Sequence, residues 1–143
     1  GRAAAALFNW SRDFYVARAP GRLDVMGGIA DYSGSRVLQM PIAEACLVAL
    51  QLKPQSRTVS VLSFGGSAGG RDFLFEISLD ELSGPDGAPL PLTELRARLA
   101  KDASKSWAAY VVGTLAVLMH EEGMRPECGM AFIVRSDVPE GKG

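Results

Sequence analysis

From Arg18 to Pro41 the chain reads R-A-P-G-R-L-D-V-M-G-G-I-A-D-Y-S-G-S-R-V-L-Q-M-P, and the rest is organised around this stretch. Apolar runs on either side, Phe14 to Ala19 and Val37 to Met40, read as strands. Between them lie Pro-Gly, Gly-Gly and Ser-Gly punctuation, one arginine near the start (Arg22) and a carboxylate after the paired glycines (Asp31). Such a mixture fits a sheet-anchored loop that holds a small polar ligand.

Working outward, Ala3 to Asn9 is expected to form a short helix, since alanine and leucine favour it. Phe14 to Arg18 and Leu23 to Met26 read as two strands flanking a Pro20-Gly21 turn. Ala43 to Leu52 is apolar nearly throughout, which predicts a central strand covered on both faces. Thr58 to Phe64 and Phe73 to Ile77 should pair as an antiparallel hairpin across Gly65 to Gly70, with Val59 and Val61 on one face and Leu62 and Phe64 on the other. A Pro/Gly-rich insert, Gly84 to Pro91, precedes a short helix with Thr93 as N-cap. The longest helix is expected from Lys105 to Glu122, with Trp107, Tyr110, Val111, Thr114, Leu115 and Leu118 as its core stripe and Gly123 as its stop. Met130 to Val134 reads as a last strand. Strands come first and helices follow, so the fold class is α+β: a largely antiparallel sheet covered by helices.

Composition narrows the class further. The chain has 143 residues, 48% apolar and 22% charged, with a net charge of -1. No basic stripe offers a footprint for nucleic acid. No run is long enough to cross a membrane, and a cytosolic setting is expected. Cys46 and Cys128 lie in apolar runs and are expected to be buried free thiols rather than a disulfide. With His120 the single histidine, at the end of a helix and expected on the surface, a structural zinc site has no ligand set. The chain lacks an initiator Met and stops inside a loop, so residues 1–143 read as one incomplete domain.

Residue types leave the chemistry open. Asp31 suits two neighbouring sugar hydroxyls and Arg22 suits a transferring phosphoryl group. Spacing alone still favours two solvated residues on a hairpin. Asp24 is expected to face solvent or cap a nearby backbone. The ending, Pro139-Glu140-Gly141-Lys142-Gly143, could cradle phosphates, yet taken alone it favours a plain turn and is no Walker A loop. Trp107 and Tyr110 default to the core.

The two ends together say more. A-P-G-R-L-D-V-M-G-G-I-A-D-Y-S-G resembles the first motif of the GHMP kinases, the galactokinase-like small-molecule kinases. V-P-E-G-K-G looks like the opening of their second motif, the glycine-rich ATP loop. The resemblance covers about the whole chain and implies the GHMP kinase N-terminal domain, cut within the ATP loop. Within the family, G-G-I-A-D-Y-S-G and L-Q-M-P-I match the wording of the plant-type arabinose kinases. Galactokinases carry Gly-Glu-His-Thr-Asp-Tyr where this chain has Gly27-Gly28-Ile29-Ala30-Asp31-Tyr32, and their glutamate holds the C6 hydroxyl.

The resemblance thus implies ATP and Mg²⁺ as cofactors and a sugar, L-arabinose or D-galactose, as partner. Arg22 would stabilise the transferring phosphoryl group, Asp31 would grip ring hydroxyls, Tyr32 would shape the loop and Gly28 would make room. Pro139, Glu140, Gly141, Lys142 and Gly143 would begin the ATP cradle, with Trp107 near the adenine. The rival implications are another sugar-1-kinase and a non-catalytic sugar sensor of the same fold.

Overall fold

The computed structural model describes residues 2–64, 73–84, 87–101 and 103–139, of which residues 2, 3, 73 and 103–105 are described by backbone alone. A short helix α1 (Arg2–Leu7) leads into β1 (Tyr15–Met26), which a two-turn 3₁₀ segment (Gly28–Ser33) connects to β2 (Leu38–Lys53). Then follow β3 (Thr58–Ser63), β4 (Phe73–Ser78), α2 (Leu92–Ala100), α3 (Ala109–Glu121) and β5 (Gly129–Ser136).

The five strands form one sheet in the order β1-β2-β5-β3-β4. The last strand in sequence is therefore the middle strand in space. It pairs antiparallel with β2, from Cys46↔Ser136 to Lys53↔Gly129, and parallel with β3, from Val59↔Met130 to Ser63↔Val134. The β3–β4 pair is antiparallel, as the alternating apolar pattern implies. The Gly65 to Gly70 connection expected between them lies outside the described residues.

The core fills the space between one face of β3, β4 and β5 and the helices α2 and α3. Val59, Val61, Phe75, Ile77 and Met130 meet Leu95, Leu99, Val112, Leu115, Ala116 and Met119 there. On the other face of the sheet, Leu62 and Ala131 are buried, and α1 contacts β3. Both faces of β3 are thus covered.

Gln51 is the one buried polar residue of β2. Its Oε1 accepts from the Asn9 N–H at 2.7 Å, and its Nε2 donates to the Asn9 carbonyl at 2.8 Å. The side-chain amide mimics a strand partner and ties the N-terminal segment to the sheet, so the buried Gln51 amide is paired at both ends.

Several expectations are corrected. Phe14–Arg18 and Leu23–Met26 are one strand, since Pro20-Gly21 is an irregularity in the ladder and not a turn. β1 is an edge strand, where a proline costs no ladder hydrogen bond to a further neighbour. Val37–Gln39 and Ala43–Leu52 likewise merge into β2. That strand is central yet not covered on both faces: Leu47 and Leu52 are exposed, because the helices stack over β3, β4 and β5.

The helix N-caps differ too. Pro91 occupies the N-cap of α2, and Thr93 lies inside the helix. The expected long helix begins as a 3₁₀ segment (Ala103–Ala108) before α3. Gly123, at φ 65°, follows its end as anticipated. Its core stripe is rotated from the expected one: Val112, Leu115, Ala116 and Met119 are buried, whereas Tyr110 is 86% exposed and Thr114 and Leu118 are also exposed. Both cysteines are free thiols, but half-buried rather than buried. His120 is exposed, and its Nε2 lies 2.6 Å from the Leu90 carbonyl, linking α3 to the segment before α2.

Two measurements check this packing. Leu115→Ala is expected to cost about 2–5 kcal/mol in chemical denaturation, while Tyr110→Ala stays within about 0.5 kcal/mol of the parent. A cost of core size at Tyr110 would contradict the rotated stripe. The second concerns Arg57, whose Nη2 and Nε donate to Asp80 Oδ1 at 2.6 and 3.0 Å. The hydrogen bond from Arg57 holds the Asp80 carboxyl below its ordinary value. Its stabilising effect is therefore present at neutral pH and fades as pH falls through the folded-state pKa. The Tm gap between parent and Asp80→Asn should narrow from about pH 5 to about pH 2.

Candidate functional site

The first motif is built on the β1–β2 ribbon. Between Pro20 and Arg22 the ladder slips, and Gly21 is buried at the slip. A Cβ on Gly21 would stand 3.0 Å from Ile42 Cδ1 and 3.1 Å from Val138 Cγ1. A side chain here would force Ile42 and Val138 to give by a few tenths of an ångström. Val138 is itself anchored: its N–H donates to Ser136 Oγ at 3.2 Å, and the Asp137 N–H donates to the Ala45 carbonyl at 3.1 Å. The start of the second motif, Val138-Pro139, is thereby fixed beside the Pro20-Gly21-Arg22 corner of the first. Pro139 is exposed. Glu140, Gly141, Lys142 and Gly143 lie outside the described residues.

Arg22 sits on β1 opposite Pro41, and Asp24 sits opposite Gln39. Arg22 Nη1 donates to Gln39 Oε1 at 3.0 Å, and Gln39 Nε2 donates to Asp24 Oδ1 at 2.5 Å. Asp24 is exposed, as expected, and it bonds a side-chain amide rather than capping a backbone. Among the described residues Arg22, at an exposed position, forms no ion pair, so no carboxylate offsets its guanidinium.

After Met26 the chain turns through Gly27 at φ 108° and Gly28 at φ 48° into the 3₁₀ segment, which Gly34 closes at φ 74°. Ala30 N–H donates to the Gly27 carbonyl at 2.8 Å, and Ser33 Oγ donates to the Ala30 carbonyl at 2.7 Å. This short turn presents Asp31 and Tyr32 to solvent, Tyr32 at 91% exposure. Among the described residues the Asp31 carboxylate makes no hydrogen bond or ion pair, which leaves both oxygens free to accept from a ligand. A Cβ on Gly28 would meet nothing within 4 Å, whereas one on Gly27 would come within 2.6 Å of Val37 Cγ1.

Arg22, Gly28, Asp31 and Tyr32 thus belong to one ribbon and its turn, with Val138, the residue before the exposed Pro139, beside Gly21 of that ribbon. Trp107 does not join them. It is half-buried in the 3₁₀ segment before α3, edge-on to Phe75 of β4 with ring centroids 6.5 Å apart. β4 and β1 are opposite edges of the sheet, roughly 19 Å apart by strand spacing. The end of β5, where the second motif starts, lies between them in strand order. Sequence reasoning missed Gln39 altogether. Its one signal is a lone amide in the otherwise apolar V-L-Q-M-P run.

Comparison with known proteins fits this arrangement. The family model described as the galactokinase galactose-binding signature matches residues 5–52, the segment that holds β1, the turn and nearly all of β2. The chain is 45% identical to an L-arabinokinase of Arabidopsis thaliana over 99% of its length, and covers 16% of that protein. A galactokinase of Clostridium perfringens is 26% identical over 87% of the chain, which covers 27% of it. Among solved structures, the galactokinase of Lactococcus lactis complexed with galactose superposes with TM-score 0.62 at 20% identity, over 97% of this chain and 30% of that one. The mevalonate kinase of Methanococcus jannaschii gives 0.60 at 11% identity, over 92% and 35%.

The chain has the α+β fold of its GHMP kinase neighbours. Along its length the chain matches the galactokinase-like branch, in which L-arabinokinase is a relative; it spans under a third of the length of the sequence relatives it matches.

The two glycines of the turn should respond differently. Gly28→Ala is strained by its positive φ alone and is expected to cost about 1–2 kcal/mol. Gly27→Ala adds a collision with Val37 and should cost more. Thermal denaturation of the two variants side by side checks the order, and equal Tm losses would contradict the Val37 contact.

Proposed function

We propose that the protein containing this chain transfers the γ-phosphoryl group of ATP to the anomeric hydroxyl of L-arabinose, giving L-arabinose 1-phosphate in the cytoplasm. The observation that carries the reading is the 45% identity to an L-arabinokinase over 99% of the chain. The open space at Gly28 supports it. L-arabinopyranose is D-galactopyranose without the hydroxymethyl group, and a glutamate built to bond a missing hydroxyl would be left unpaired.

Asp31, with both carboxylate oxygens free, accepts hydrogen bonds from two ring hydroxyls, and Tyr32 walls the turn. Arg22 faces the transferring phosphoryl group with an unneutralised guanidinium and stabilises its developing charge. Pro139 to Gly143 begin the cradle for the ATP phosphates, and Trp107 lies toward the adenine end. The described residues contain no group of three or more His, Cys, Asp or Glu side chains that could hold a metal ion. Mg²⁺ bound together with ATP would supply charge neutralisation at the phosphates. The contribution of the chain's own residues is positioning and electrostatics.

D-galactose is the second substrate to weigh, because the matching family model is a galactose-binding signature. ATP turnover by the full-length protein with each sugar decides between them. We expect kcat/KM to favour L-arabinose, and a preference for galactose overturns the substrate. Arg22→Ala should lower kcat by about 10²–10³-fold, and residues 1–143 alone should show no sugar-dependent turnover.

A further inference from the structure

We propose that Gln39 is a positioning residue for Arg22, and that Asp24 sets the direction in which its amide points. The inference rests on the sugar-kinase reading for what Arg22 does, but not for how Arg22 is held. Arg22 and Asp24 are two apart on one strand, on a common face, as their shared partner requires. Side chains at i and i+2 of a strand are roughly 7 Å apart at their bases, which is within reach of an arginine. Left to themselves they would pair directly, and the guanidinium would lose its free charge.

Gln39 stands between them on β2, directly opposite Asp24. Its Nε2 donates to Asp24 Oδ1, so its Oε1 must face the other way, toward Arg22 Nη1. The flipped amide would set NH₂ against guanidinium and oxygen against carboxylate, two repulsive contacts in place of two hydrogen bonds. An amide at this position therefore restrains the guanidinium without neutralising it. One of the five guanidinium N–H groups is used, and the others remain for an anion. A carboxylate at position 39 would hold Arg22 more tightly and cancel the charge the reaction needs.

The test uses the full-length protein and Gln39→Met, which keeps side-chain length and removes both hydrogen bonds. Expected are a fall in kcat of about tenfold, a KM for sugar within about twofold and an unchanged Tm. In the Arg22→Ala background the same substitution should change kcat by less than about twofold, because Gln39 acts through Arg22. Gln39→Glu should lower kcat further than Gln39→Met. Equal tenfold losses with and without Arg22 would overturn the proposal and leave the kinase reading intact. If the parent shows no sugar-dependent turnover, the kinase reading fails, and the crystal structure of the Gln39→Met protein then decides the positioning role. A displaced or disordered Arg22 guanidinium supports it, and an unmoved one refutes it.

Discussion

The slip in the β1–β2 ladder at Gly21 is the constraint on which the site depends. Regular pairing through Pro20 to Arg22 would keep Ile42 and Val138 away from the β1 backbone. The slip instead buries Gly21 beneath both side chains. That single contact joins residues from opposite ends of the sequence, and it sets Arg22 beside the segment that opens the second motif. A bulge of this kind re-aims a side chain while leaving the strand continuous, which a turn could not do.

Electrostatics at the site follow from the same ribbon. Of the two charged groups on the Arg22 face, the negative one is occupied by an amide and the positive one is not paired with a carboxylate. The turn beyond them exposes a second carboxylate, Asp31, with both oxygens free. Under the proposed function, a small polar ligand would meet a hydrogen-bond acceptor and an uncancelled cation on one β1–turn–β2 unit. The arrangement suits a substrate that is neutral where it is recognised and anionic where it reacts.

How much of this was legible in the sequence varies from element to element, for physical reasons. Thr58–Ser63 and Phe73–Ser78 were plain, because alternation of apolar residues has one reading in a short hairpin strand. Pro20-Gly21 was misread as a turn, since the same dipeptide serves a bulge on an edge strand and only the partner strand tells which. The buried side of α3 was misplaced because A-Y-V-V-G-T-L-A-V-L-M is apolar on nearly every side, so a 3.6-residue period fits more than one stripe. Tyr110, large and apolar in body, was assigned inward and lies outward. At the site, Arg22, Asp31 and the turn glycines were visible as residue types. Their function came from the motif wording, and the Gln39 bridge depended on strand register, which spacing along one strand does not carry.

The central place of β5 has a consequence for how the chain becomes a sheet at all. The β1–β2 and β3–β4 ribbons are each made of neighbours in sequence, but they share no hydrogen-bonded ladder with one another. Gly129–Ser136 is the seam between them, and its parallel pairing with β3 joins segments far apart along the chain. Loop-closure entropy makes such a pairing late. During synthesis, the inner edges of β2 and β3 stand open until the seam emerges from the ribosome, and an open inner edge is a template for the wrong partner. The strand that leads into the second motif is thus also the one that closes both open inner edges.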